Sequence, residues 1–267
     1  MNAICGRPGD VVRDMRRRGQ YRFACGLAAS YGIVMVDVTA AIRRLDLGYI
    51  VRPAEEAGTA HPRAEPVLGY VLRRDDATVL FDTGIASADP ETDNHYRPVR
   101  RPLAQALADI GLSIQDISLV ANSHLHFDHC GGNALLAGRP TFVQATELAV
   151  ARGEGYTIPE AVDFPGASYS EIDGEAEILP GVWVIPTPGH TTGHQSLVAR
   201  QSDGTVILAG QAHDFASEYA SSYQALRAIR DGLQPPLPSY PGWLERLTEF
   251  DPSRVFFAHD CSVWEPA

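Results

Sequence analysis

Residues 121–133 constrain this chain more than any other stretch, because they concentrate side chains that bind metals. The ligand-type side chains there are His124, His126, Asp128 and His129. A strand-like segment at 117–122 leads into them, and Gly131 and Gly132 follow shortly after. An α/β fold places its chemistry at the end of a buried strand. The stretch therefore predicts a two-metal hydrolytic centre.

Three further candidate ligands also follow predicted strands; they are His190, Gln211 and His259. Imidazole nitrogen and carboxylate oxygen suit Zn²⁺ best here, and they also accept Mn²⁺, Fe²⁺ or Co²⁺. Alternate residues of an extended loop point the same way, so His124 and His126 can share one ion. Asp128 and His129 then turn toward a second ion. Two neighbouring ions can hold a hydroxide between them and lower its pKa toward neutrality.

The charge balance limits the partners of the chain. The formal net charge is −11, which leaves no excess of Lys and Arg for nucleic-acid phosphates or for an anionic membrane. No window approaches the roughly 20 apolar residues of a membrane span. We therefore expect a small-molecule substrate, with no nucleic-acid and no membrane partner.

The four cysteines form no CxxC pair, which favours reduced thiols and a cytoplasmic location. We interpret Cys130, beside the ligand cluster, as a small buried residue and not as a ligand.

The pattern along the chain predicts an α/β architecture. We expect residues 1–34 to be an extension outside the compact fold and residues 35–267 to be one domain. Apolar strands alternate with one helix at 102–111 and a helix-rich stretch at 217–250. We expect loops at 53–66, 86–101 and 153–175, each rich in Pro, Gly or charge.

Two single residues have defined alternatives. Asp82, at a strand end, either supports the site from behind the ligands or caps a turn. We expect His194 to brace its loop and not to bind a metal.

Three segments together resemble the metallo-β-lactamase superfamily. They are Ser123-His124-Leu125-His126-Phe127-Asp128-His129, Pro188-Gly189-His190 and Phe257-Ala258-His259. Within it, the chain looks most like the N-acyl-homoserine lactonase group. The local matches are 124–133, Val143-Gln144-Ala145-Thr146-Glu147 and 190–197.

The resemblance implies an αββα sandwich with two metal ions at the sheet edges. It implies that the first ion is held by His124, His126 and His190, and the second by Asp128, His129 and His259. It also implies that Asp128 helps to protonate the leaving group. The implied activity is metal-dependent opening of a lactone ring by a metal-bound hydroxide, with N-acyl-homoserine lactone as substrate and quorum quenching as the role. A homodimer is implied as well.

One position departs from the family pattern. The family usually has an Asp that bridges both ions where this chain has Gln211. A Gln amide offers a neutral oxygen and bridges poorly, so the second ion is expected to bind weakly. Asp214 stands where lactonases often carry a Tyr that contacts the substrate; we treat it as a candidate catalytic residue. Tyr219 and Tyr223 are alternative candidates for the role of that Tyr.

Three other functions stay open. The first is a thioester or other ester hydrolase of the glyoxalase II type. The second is an iron-dependent persulfide dioxygenase, which the missing carboxylate disfavours. The third is a metal-binding relative whose catalysis is impaired by the Gln211 change.

Overall fold

The structure is a computed structural model, and it describes residues 42–74, 76–233, 236 and 238–266. The predicted extension at 1–34 and the predicted start of the domain at residue 35 lie outside the described residues. Cys5 and Cys25 lie outside them too. Two β-sheets pack face to face, and helices cover the outer face of each sheet. This arrangement confirms the αββα sandwich.

The first sheet has seven strands in the order β4-β1-β2-β3-β5-β6-β7. Their bounds are β1 Arg43–Arg52, β2 Arg63–Arg74, β3 Ala77–Phe81, β4 Val99–Arg100, β5 Leu119–Ala121, β6 Thr141–Gln144 and β7 Tyr169–Ile172. The strands from β3 through β7 in this order are parallel, and β1 is antiparallel to both β2 and β4.

The second sheet has five strands in the order β12-β11-β10-β9-β8. Their bounds are β8 Ala176–Leu179, β9 Val182–Pro186, β10 Gln195–Gln201, β11 Gly204–Leu208 and β12 Pro252–Phe256. β11 and β12 are parallel, so the residues that follow them lie at the same edge of the sheet.

The helices are short except for one. They are α1 Pro90–Tyr96, α2 Leu103–Asp109, α3 Phe127–Cys130, α4 Ala145–Ala151, α5 Pro159–Val162, α6 Ala216–Arg230 and α7 Trp243–Thr248. Short 3₁₀ turns cover Ile114–Asp116 and Asn133–Leu136. Among the described residues, no helix combines the length and the apolar character needed to cross a membrane.

Strand β2 shows how the layers form. Its side chains alternate between the two faces of the sheet. Val67 and Val71 pack toward helices α2, α4 and α5, whereas Leu68, Tyr70 and Leu72 pack between the sheets. Both faces are buried, which explains why the segment is almost continuously apolar.

The three predicted loops were only partly right. The first is shorter, because strand β2 already begins at Arg63. The second contains α1, whose start is fixed by Asp89: its carboxylate accepts from the N–H groups of Glu91 and Thr92, and Pro90 takes the first helical position. The third contains α5 and β7. Each element is too short for its apolar periodicity to stand out in the sequence.

Candidate metal centre

The central motif, residues 123–129, begins just after β5 ends. β5 runs parallel to β3, so the residues after the two strands meet at one sheet edge. Asp82 follows β3 and has a left-handed backbone (φ 59°). Its carboxylate accepts from the N–H of Ser123 at 2.7 Å and from the Ser123 hydroxyl at 2.8 Å. This contact fixes the start of the motif.

The first ligand cluster consists of His124, His126 and His190. Nε2 of His124 lies 3.1 Å from Nδ1 of His126, and that atom lies 3.0 Å from Nε2 of His190. His190 comes from the loop between β9 and β10 and is exposed, whereas His124 is buried. Two distant segments therefore supply one group of converging nitrogens.

The second ligand cluster consists of Asp128, His129 and His259, all buried. The Nε2 atoms of His129 and His259 are 3.2 Å apart. Oδ2 of Asp128 lies 3.5 Å from the first of these nitrogens and 3.6 Å from the second. His259 reaches the cluster because β12 ends at the same edge as β11.

The outer ring nitrogens determine which inner nitrogens carry lone pairs. Nδ1 of His259 lies 2.9 Å from the carbonyl oxygen of Pro66, which can only accept, so this nitrogen donates. Nδ1 of His129 likewise lies 2.9 Å from Oδ2 of Asp82. In both rings Nδ1 donates outward, so Nε2 is the nitrogen that faces the cluster and would bind a metal.

These donors fit a pair of divalent ions. A tetrahedral ion with bonds of about 2.0–2.1 Å separates its nitrogen ligands by about 3.3 Å, close to the spacings in both clusters. In the first cluster, where the pKa values of all three histidines are lowered, the facing lone pairs repel, and a cation between them removes that repulsion. The residues present therefore suit the metal pair that the sequence predicts.

The protonation states also suit metal binding. Burial, reinforced by neighbouring imidazoles, holds the pKa of His124 well below its usual value. The side chain of His190 is exposed, but its Nε2 faces His126 inside the cluster, and partial desolvation together with the neighbouring imidazoles lowers its pKa. Burial alone would raise the pKa of Asp128, but His129 and His259 outweigh it and keep that pKa low. At neutral pH these groups are two neutral imidazoles and a carboxylate, the forms that coordinate metals.

Gln211 lies beside the second cluster, and Asp214 lies on the far side of Gln211 from that cluster. The exposed fraction of Gln211 is 3%, and its Oε1 is 3.3 Å from Nε2 of His259. Its amide nitrogen donates to Oδ1 of Asp214 at 3.0 Å. Asp214 also pairs with Arg52, Nη1 to Oδ2, at 2.9 Å. The structure thus brings Asp214 near the clusters through Gln211, and not into either cluster.

The two tyrosines considered as substrate contacts lie elsewhere. Tyr219 is fully buried, and both Tyr219 and Tyr223 pack against Trp264. Neither is among the described residues that line the cavity over the clusters.

That cavity has a volume of about 710 Å³. Its floor carries ligand-type residues of both clusters together with Gln211, and its walls mix apolar and polar side chains. The wall residues relevant here are Ile50, Arg52, Glu56, Tyr96, Phe127, Tyr156 and Ile158. The sequence did not single out Arg52 or Tyr156, although Tyr156 lies in the predicted loop at 153–175. The signal available for Arg52 was its position at a strand end.

The structure also decides the two open single-residue questions. Asp82 supports the site from behind, since it contacts His129 as well as Ser123. His194 is buried; its Nδ1 lies 2.8 Å from the Thr187 hydroxyl, and its Nε2 accepts from the N–H of Gln211. It braces the loop, as predicted. Cys130 is buried as well, and burial raises the pKa of its thiol.

Glu147 is a site residue that the sequence matched but gave no role. Its fully buried carboxylate accepts from the Leu125 N–H at 2.8 Å and from the Thr191 hydroxyl at 2.7 Å. It also accepts from the hydroxyl of Tyr156, whose ring lies over His126. One carboxylate therefore joins the central motif, the His190 loop and the cavity wall.

Comparison with known proteins agrees with this fold. Residues 62–259 match the metallo-beta-lactamase superfamily, which is most of the chain. The chain belongs to this superfamily.

Among its relatives is the N-acyl homoserine lactonase of Bacillus cereus, 30% identical over 156 residues. The matched region is 54% of this chain and 62% of that protein, so the chain spans less than two thirds of the length of this relative. A probable metallo-hydrolase of Mycobacterium tuberculosis is 27% identical over 185 residues, 58% of this chain and 60% of that protein.

A solved structure of N-acyl homoserine lactone hydrolase, with the product N-hexanoyl-L-homoserine at its catalytic metal centre, superposes with a TM-score of 0.64. It is 24% identical, and the match covers 84% of this chain and 95% of that one. At this identity the similarity establishes the fold alone.

Proposed function

We propose that this protein is a metal-dependent hydrolase that opens lactone rings, with N-acyl homoserine lactones as the leading substrate class. The observation that carries the proposal is the pair of converging clusters on the floor of one cavity. Similarity to the Bacillus lactonase supports the choice of substrate. Quorum quenching would then be its biological role. The cytoplasmic location and the homodimer stay predictions from the sequence.

His124, His126 and His190 would hold one ion, and Asp128, His129 and His259 the other. Zinc is the leading candidate for both. Divalent ions bound there would supply Lewis-acid activation of a water molecule and of the ester carbonyl. The remaining contributions come from the chain.

Asp128 is the side chain best placed to move a proton. It belongs to the second cluster and also lines the cavity. Oδ2 faces the second cluster, so the other oxygen of this ionised carboxylate is the one that can take a proton from the attacking water. It can then pass that proton to the ring oxygen as the ester bond breaks. The apolar wall at Ile50, Phe127 and Ile158 offers a surface for an acyl chain.

The test is turnover by purified, zinc-loaded protein on matched panels of lactones, thioesters and phosphodiesters. We expect acid release from lactones, and we expect Asp128→Asn to lower kcat by about 10²–10⁴-fold, the usual contribution of a proton-transfer group. The zinc content of each variant is measured in parallel. No acid release from any lactone would overturn the proposal, and faster thioester turnover would favour the glyoxalase II type instead.

A further inference from the structure

Gln211 is held at both ends by residues outside the two ligand clusters. Its backbone N–H donates to Nε2 of His194 at 3.0 Å. The preceding Gly210 has φ +59°, and a Cβ there would lie 2.5 Å from Cβ of Ser123. The side-chain nitrogen of Gln211 donates to Oδ1 of Asp214 at 3.0 Å. A buried side chain tied in this way has little rotational freedom.

The orientation of the Gln211 amide follows from the chemistry of Asp214. The carboxylate of Asp214 pairs with Nη1 of Arg52 at 2.9 Å and lies 3.6 Å from Nη2 of Arg63, so it faces two positive charges. An ionised carboxylate only accepts hydrogen bonds, so it selects the NH₂ end of the amide. The carbonyl oxygen is left at the opposite end, 3.3 Å from Nε2 of His259.

Asp214 is itself fixed by arginine. Its Oδ1 contacts Gln211, and its Oδ2 pairs with Nη1 of Arg52 at 2.9 Å. The Nη2 atom of the same guanidinium lies 3.0 Å from Oε2 of the buried Glu65. Arg63 also pairs with Glu65, at 2.6 Å. The carboxylate that orients Gln211 is thus anchored to strands β1 and β2.

We propose that Asp214 and Arg52 are positioning residues that direct the neutral carbonyl oxygen of Gln211 toward the second ligand cluster. The inference rests on the proposed metal-dependent function. It gives Asp214 a role through Gln211 and not a direct contact with substrate. In the segment 211–214, Gln211 is neutral, and the negative charge lies on Asp214, where Arg52 neutralises it. An oxygen ligand is then available without adding an anion to the centre.

The test measures zinc affinity directly, by competition with a chelator and by counting zinc equivalents per chain. Asp214→Ala and Gln211→Ala are each expected to weaken binding of the second ion by about 10–100-fold, as loss of a group that orients a metal ligand does. The double variant should bind no more weakly than either single variant, because Asp214 acts through Gln211.

Two further variants sharpen the result. Asp214→Asn should retain most of the affinity, because its side-chain oxygen still accepts from Gln211. Asp203→Ala is the matched control: it also removes a carboxylate paired with arginine, but on the turn between β10 and β11. It should bind zinc like the wild type.

Wild-type zinc affinity in Asp214→Ala, or losses that add in the double variant, would overturn the inference. If Asp214→Ala does not fold, Arg52→Met gives the decision, and unchanged zinc affinity there overturns it as well. Lactone turnover is measured on the same samples. If the wild type binds two zinc ions but does not turn over lactones, only the lactonase proposal is excluded. If Asp214→Ala binds zinc like the wild type, only this inference is excluded.

Discussion

Nδ1 of His129 lies 2.9 Å from Oδ2 of Asp82, and both side chains are buried. The contact joins the end of β3 to the segment that follows β5. It sets the ring orientation of His129 and leaves Nε2 directed at His259. A residue 47 positions earlier in the chain therefore controls how a candidate metal ligand is presented.

Replacing Asp82 by Asn should weaken the second metal site without abolishing the fold. Asn tolerates the left-handed backbone at this position, so the backbone after β3 should keep its conformation. Loss of the carboxylate should reduce affinity for the second ion by about 10–100-fold. Zinc competition measures this, with the exposed Asp173→Asn as control. Equal affinity in both variants would contradict the assigned role of Asp82.

Replacing Gln211 by Asp should make stability more dependent on metal. The new carboxylate would lie near Asp214 and the second cluster, so it should lower the melting temperature of metal-free protein by repulsion. Zinc should then raise the melting temperature more than it does in the wild type. Calorimetry with and without zinc measures both effects, and the exposed Gln115→Asp is the control. A gain in lactone turnover would mark the natural centre as impaired; a loss would mark Gln211 as part of a working site.

Replacing Glu147 by Gln should destabilise the site region. The carboxylate accepts three hydrogen bonds while buried, and an amide turns one end into a donor facing other donors. We expect the free energy of unfolding to fall by about 2–3 kcal/mol, since bonds to a buried charge are stronger than neutral ones. Urea unfolding measures the change. The exposed Glu171→Gln should leave stability near the wild-type value, and equal stability of both variants would refute the prediction.

Replacing Gly131 by Ala should disturb α3. An added Cβ would lie 2.0 Å from the backbone nitrogen of Ala86 and 2.2 Å from the backbone carbon of Ile85. Backbone cannot swing aside as a side chain can, so we expect a loss of about 1–3 kcal/mol in the free energy of unfolding. Gly242→Ala is the control, because nothing lies within 4 Å of its added Cβ. Urea unfolding measures the change, and the prediction is wrong if Gly131→Ala and Gly242→Ala have the same free energy of unfolding.

Acid should destabilise the metal-free protein. Burial and neighbouring imidazoles lower the pKa of His124 and His190 in the folded state. The unfolded chain therefore binds protons that the folded chain does not, and stability falls as pH drops below about 6.5.

His129 acts in the opposite sense. Burial lowers its pKa, but Asp128 and Asp82 outweigh burial and raise it. The stability that His129 contributes is therefore present at low pH and is lost as pH rises through its folded-state pKa. The lowered histidines, which include His259 and the buried His194, outnumber it. Melting temperatures of chelator-treated protein between about pH 7 and about pH 4.5 test the sign. A melting temperature that rises on acidification would contradict it.

The sequence predicted the alternation of strands with helices and the residues that make up both ligand clusters. The strand expected at 117–122 contains β5, Leu119–Ala121, and the helix expected at 102–111 contains α2, Leu103–Asp109. The short elements α1, α5 and β7 were missed. Four to seven residues give too little periodicity to distinguish a helix or a strand from a loop.

The density of ligands between His124 and His129 determined the class of site by itself, because so many metal-binding side chains in one short segment have few other uses. Only the tertiary structure decided what surrounds them. Arg52, Glu147 and Asp214 carry ordinary local sequence contexts, and their roles depend on contacts between strands and loops far apart in the chain. Gln211 shows the division clearly: the sequence marks it as an unusual residue, whereas its partners His194 and Asp214 determine where its oxygen points.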